Sequence, residues 1–137
     1  MSFNIHFADR GLGLILKRTV GTDSTNAFAD ALVAFFRGHK DSLSAIRYVY
    51  IDYTEADKLK VSMEDILRFV DIAKIIASDN KALVVAICAP QFENYCMTKM
   101  WEVHLPEDTG WLTMAFRDKE KTQAWLKKTV REDLTFM

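Results

Sequence analysis

The chain opens on a strict alternation: Phe3, Ile5 and Phe7 fall on one side of an extended segment and Asn4 and His6 on the other, the period of a half-buried strand. Asp9-Arg10-Gly11 then predicts a turn and LGLILKR, ending at Arg18, a second strand, so the two should form an antiparallel hairpin. Val20-Gly21-Thr22-Asp23 ends that strand. From Ser24 to Arg37 the pattern changes to helical spacing, with Phe28, Ala31, Leu32 and Phe35 on one stripe, Thr22 or Asp23 placed to cap and Gly38 to stop the helix.

IRYVYID, Ile46 to Asp52, is aromatic and β-branched and reads as a third strand. The polar loop YTEADKLKV leads to S-M-E-D, where Ser62 and Asp65 form a capping-box variant ahead of a helix from Met63 to Ala77. Ala82 to Ala89 is nearly all apolar, which suits a strand covered on both faces. Pro90 starts another helix, with Phe92, Tyr95, Cys96, the Lys99 stem, Met100 and Val103 on its apolar stripe. His104 to Gly110 reads as loop, WLTMAF as a fifth strand, and Asp118 as the cap of a last helix with Leu126, Val130 and Leu134 at four-residue spacing. This order predicts a single α/β domain over 1–137. Right-handed crossovers make strands two to five parallel, the first strand is antiparallel, and four helices lie mainly on one face.

Composition supports one folded core: 137 residues, half of them hydrophobic and about a quarter charged. A formal charge of -1 creates no global field for nucleic acid or an anionic membrane. The start of the chain lacks the pattern of a secretory signal, and no apolar run is long enough to span a bilayer, so a cytoplasmic location is expected. Cys88 and Cys96 both read as small core residues, in keeping with a reducing compartment.

With this element order, and with YVYIDYTEAD, SMEDI, LVVAICAP followed by MTKMWE, and FRDKEKTQAWL, the chain resembles the small SpoIIAA-like proteins, relatives of STAS and CRAL-TRIO domains. The resemblance spans nearly the whole chain and rests on patterns of fold and packing. It implies a regulatory, protein-binding module. Some STAS domains are switched by phosphorylation of a serine at the helix after the third strand, and by position that candidate phosphoacceptor is Ser62. The Asp-Ser-Ser/Gly-Gly-like stretch of such domains is replaced here by Lys-Val-Ser-Met, and Glu64 and Asp65 would repel an added phosphate. A plain N-cap is therefore the expected role of Ser62.

Candidate chemistry is sparse. His6, His39 and His104 have no metal-ligand spacing with either cysteine, no G-x-S-x-G elbow occurs, and Gly11-Leu12-Gly13 lies in a hairpin where it signals a turn. No catalytic residue, metal or cofactor is implied. Asp52, at the carboxyl end of the third strand, is the best placed acid-base group, with helix capping or loop pinning as its ordinary role. Alternation sends Tyr48, Tyr50 and Asp52 to one side of that strand. If the helices cover the other side, Asn4, His6, Tyr48, Tyr50 and Asp52 form an open face suited to a homodimer or protein partner. A second candidate is an apolar pocket for a small molecule or lipid chain, lined by Tyr53, Tyr95, Met97, Trp101 and Trp111, which the CRAL-TRIO resemblance brings forward. Lys119, Lys121, Lys127, Lys128 and Arg131 are interleaved with acids and read as a solvated helix face. The expected ranking is interaction module, then apolar carrier, then enzyme.

Overall fold

The computed structural model describes residues 3–18, 25–56 and 63–137. The predicted caps at Thr22, Asp23 and Ser62 lie outside these residues. Five strands form one mixed sheet in the order in which they occur: β1 (Phe3–Ala8), β2 (Gly13–Arg18), β3 (Tyr48–Asp52), β4 (Val84–Cys88) and β5 (Leu112–Phe116). β1 pairs antiparallel with β2, and every later pair is parallel. The hairpin turn at Asp9, Arg10 and Gly11 has three successive positive φ angles, 51°, 56° and 88°. Glycine adopts such angles freely and aspartate tolerates them.

The helices are α1 (Thr25–Gly38), α2 (Lys40–Ala45), α3 (Met63–Ala77), α4 (Phe92–Thr109) and α5 (Lys119–Val130). The short α2 has no counterpart in the sequence reading, because a six-residue helix after a glycine stop carries too little periodicity to register. Each right-handed crossover between neighbouring parallel strands, stepping in one direction across the sheet, must place its helix on the same face. α1, α3 and α4 accordingly share a face, over a core that includes Leu14, Leu16, Val49, Ile51, Val85 and Ile87. α5 leads to no further strand, so the crossover rule does not bind it. It packs on the opposite face, where Leu126 and Val130, with Leu134 just beyond the helix, cover Ile15, Tyr48, Tyr50, Ala86 and Cys88. The helices thus lie mainly on one face, as expected, with α5 the exception, and α2 brings the described helices from the expected four to five.

α4 differs from its sequence reading in two respects. Its buried positions are Asn94, Thr98, Trp101, Leu105 and Thr109, whereas Phe92 and Val103 are exposed and Cys96 lies at the surface. A one-dimensional hydropathy pattern misses a core face that carries Asn94, Thr98 and Thr109, of which the two threonines are satisfied locally: the Thr98 hydroxyl donates to Tyr95 O at 2.8 Å and that of Thr109 to Leu105 O. The helix also continues through Pro106 to Thr109 before Gly110, at φ 76°, ends it. The predicted loop from His104 onward is thus mostly helix.

Candidate functional site

The aromatic side of β3 is where the structure departs most from the predicted open face. Alternation does place Tyr48 and Tyr50 together, opposite Val49 and Ile51. Both tyrosines are nevertheless buried, at 0% and 2% exposure, beneath α5 and the segment after it. Phe136 meets both rings edge-on, with centroids at 5.8 and 5.7 Å. The homodimer face built on Tyr48 and Tyr50 is therefore not available, because the C-terminal segment of the same chain occupies it.

What holds that segment is Asp9, in the β1–β2 turn. One carboxylate oxygen accepts from the Thr135 amide at 2.7 Å and the Thr135 hydroxyl at 2.9 Å. The other accepts from the Tyr48 hydroxyl at 2.6 Å and the Phe136 amide at 3.1 Å. The Asp9 amide donates to Met137 O at 2.8 Å. Burial pushes the Asp9 carboxyl up, but the donors Tyr48, Thr135 and Phe136 together outweigh it and hold the group below the usual carboxylate range. Arg47 adds a clamp further back, donating to Val130 O at 2.8 Å and pairing with Glu132 at 3.0 Å. Burial, then the Asp9 hydrogen bond, raise the Tyr48 phenol; burial, then the Asp52 carboxylate, raise that of Tyr50. Both stay neutral. The Tyr50 hydroxyl lies near Gln123 yet closes no hydrogen bond of good geometry.

Asp52 is buried, and one of its oxygens accepts from the Thr54 amide at 2.9 Å and the Thr54 hydroxyl at 2.6 Å. It pins the loop after β3, the role expected of an aspartate at a strand end. Neighbouring Cys88 is fully buried, and burial pushes its thiol up, away from the reactive thiolate. His6, His39 and His104 sit on β1, just beyond α1 and on α4; among the described residues no group of His, Cys, Asp and Glu could hold a metal ion. Ser62, the positional phosphoacceptor, lies outside the described residues.

Of the predicted pocket residues, Trp101 and Trp111 do line an apolar cavity, between the sheet and α1, α3 and α4, together with Leu14, Phe36, Phe69 and Val85 among others. Tyr53, Tyr95 and Met97 do not line it: Tyr53 is buried in the surrounding core, its phenol pushed up to about 12 by burial, while Tyr95 and Met97 are half-buried on α4. The cavity measures about 50 Å3, against roughly 300 Å3 upward for small-molecule sites. Its size is that of a packing defect. Filling about 50 Å3 at roughly 24 cal/mol per Å3 contributes about 1 kcal/mol. Val85→Ile is therefore expected to raise stability by up to that amount, seen as a higher urea midpoint at unchanged slope.

The remaining predicted surface residues, Asn4 and His6, are exposed on β1, with His6 Nδ1 and Asn4 Oδ1 2.7 Å apart. Here the two edges of the sheet differ. Beside β5, Glu102 of α4 accepts from the Ala115 amide at 2.9 Å while also pairing with Lys99 at 2.8 Å, so that edge is partly closed. β1 is the other edge. Its six residues pair with β2 without a bulge, include no Lys, Pro or acid, and pair with no other strand among the described residues. Helix α1 supports it from below, with Phe3 against Phe28 at 5.3 Å and Phe7 against Phe35 at 5.4 Å. Sequence reasoning found the residues but not their position, because an edge strand is defined by what fails to pair with it. No helix among the described residues is long and apolar enough to cross a membrane. No protein-family model, curated protein or solved structure matches this chain.

Proposed function

We propose that this chain is a regulatory or protein-interaction module, as its resemblance to SpoIIAA-like and STAS domains implies, and that it engages its partner through β1. The observation that carries this is the asymmetry of the sheet edges: Glu102 occupies β5, whereas β1 offers an unbulged, uncharged edge that pairs with no other strand among the described residues. Such edges invite pairing with another chain, and proteins that do not use them normally block them with lysine, proline or a bulge. The carboxylates of half-buried Asp9 and buried Asp52 favour the same reading, since both are committed to holding backbone.

A photo-crosslinking residue placed at the exposed His6 position tests this in the expressing cell. A discrete protein adduct, absent when the same residue replaces Lys128 on α5, is the expected result. The adducted protein, once purified, should bind the wild-type chain and lose binding to Ile5→Lys. Absence of any adduct from position 6 would rule the reading out.

A further inference from the structure

Resting on that reading, we propose that the partner of β1 is a second copy of this chain, paired antiparallel about a two-fold axis through Ile5. The order of residues along the strand carries the inference. In Phe3-Asn4-Ile5-His6-Phe7 the types are symmetric about Ile5. With Ile5 opposite its own copy, Phe3 faces Phe7 and Asn4 faces His6, twice each.

Directly opposed residues in an antiparallel pair project to the same face, so this register forms two layers. On the helix-bearing face, Phe3, Ile5 and Phe7 of both copies meet as aromatic and β-branched cross-strand pairs. On the other face, each exposed Asn4 meets an exposed His6, and the 2.7 Å contact between these side chains within one chain shows that their chemistry is complementary. Sliding the pairing by two residues would set Asn4 against Asn4, or His6 against His6, and strand a phenylalanine. No charge of either sign lies on the strand to oppose itself.

The same axis also fixes how the helix layers lie. A two-fold axis normal to the sheet puts both helix layers on one side, with α1 beside its copy. The Asp30–Arg68 ion pair marks the flank of α1 that faces α3. Ala27 and Ala34, three residues before and four after Asp30, are exposed on the outer face beside it, whereas half-buried Ala31, one turn before the Phe35 that packs on Phe7, lies nearer the β1 side of α1. The two five-stranded sheets would then run together as one.

Sedimentation equilibrium over a concentration series should give twice the monomer mass. Ile5→Cys, in a Cys96→Ser background that removes the exposed thiol, should form a covalent dimer on mild oxidation, because the two new thiols meet at the axis. Ile5→Lys sets two ammonium groups against each other and is expected to weaken association about 100-fold. Since Ile5 is half-buried and its replacement could loosen the strand, the exposed pair supplies an independent check. Asn4→Lys with His6→Lys should dissociate the dimer, and Asn4→Lys with His6→Glu should restore it. A monomer mass throughout, or a dimer indifferent to these changes, would overturn the inference. A monomer that still cross-links to a different protein from position 6 would overturn self-pairing alone and leave the interaction reading standing.

Discussion

Replacing Asp9 by alanine is expected to cost about 3 kcal/mol of unfolding free energy, because the charged acceptor of four hydrogen bonds disappears and the buried Tyr48 hydroxyl loses its partner. The loss is less than the sum of four separate bonds, since the exposed Thr135 donors can turn to water and Arg47 still holds Val130 O and Glu132. Asp9→Asn should recover less than half of it: the amide keeps one acceptor oxygen but aims an NH2 group at donors. The pH dependence separates charge from shape. The Asp9 carboxyl is held below its usual value in the folded chain, so its contribution is fully present above about pH 4, the unfolded range. It fades as pH falls through the depressed folded value. Urea unfolding of wild type and Asp9→Asn should thus diverge most near neutrality and converge in acid. A gap that stays constant down to pH 3 would mean that the carboxylate's charge is not what the segment after α5 responds to.

Gly13→Ala is expected to cost at least as much, for a steric reason. Gly13 stands beside Tyr48 in the β2–β3 register, and the tyrosine ring lies across it. A methyl group at Gly13 would fall 1.9 Å from Tyr48 Cζ and 2.2 Å from its Cε2, well inside any van der Waals contact. The ring cannot swing aside freely: it is wholly buried, tied to Asp9 through its hydroxyl and packed edge-on against Phe136. Overpacking of this kind costs about 3 kcal/mol or more when the obstructed group is anchored. A double-mutant cycle checks the cause. In a Tyr48→Ala background, itself destabilised by about 3–5 kcal/mol, the ring is gone, and Gly13→Ala should cost less than about 1 kcal/mol. Additive losses would show that Gly13 is needed for its backbone and not for the space it leaves.

These two residues illustrate what was legible along the chain. Gly13 reads as the second half of a turn signal, and the turn is there at Asp9 to Gly11; its larger role depends on a ring 35 positions later. Asp9 reads as an ordinary turn residue, while the groups it binds lie 39 positions away at Tyr48 and more than 120 away at Thr135 and Phe136. Local periodicity contains no information about such partners. Asp52 lies at the other extreme: it accepts from a residue two positions on, so loop pinning was one of the two local roles, with helix capping, that the sequence offered for it.

By itself the sequence determined the elements and most of the sheet. Period-two and helical spacings are backbone properties, and the handedness of strand crossovers follows from the chirality of the chain, so the antiparallel β1 and the parallel β2 to β5 follow from element order. It also determined which side chains share a face, including Asn4 with His6 and Tyr48 with Tyr50. Only the tertiary structure decided what covers each face. α5 has no later strand to constrain it, so burial of Leu126, Val130, Leu134 and the two tyrosines, together with the hold of Asp9 on Thr135 and Phe136, sends it to the far side of the sheet. That choice closes the aromatic face of β3, while strand order puts β1 at an edge where it pairs with no other strand among the described residues, because burial and edge pairing are properties of the assembled sheet and of no single segment.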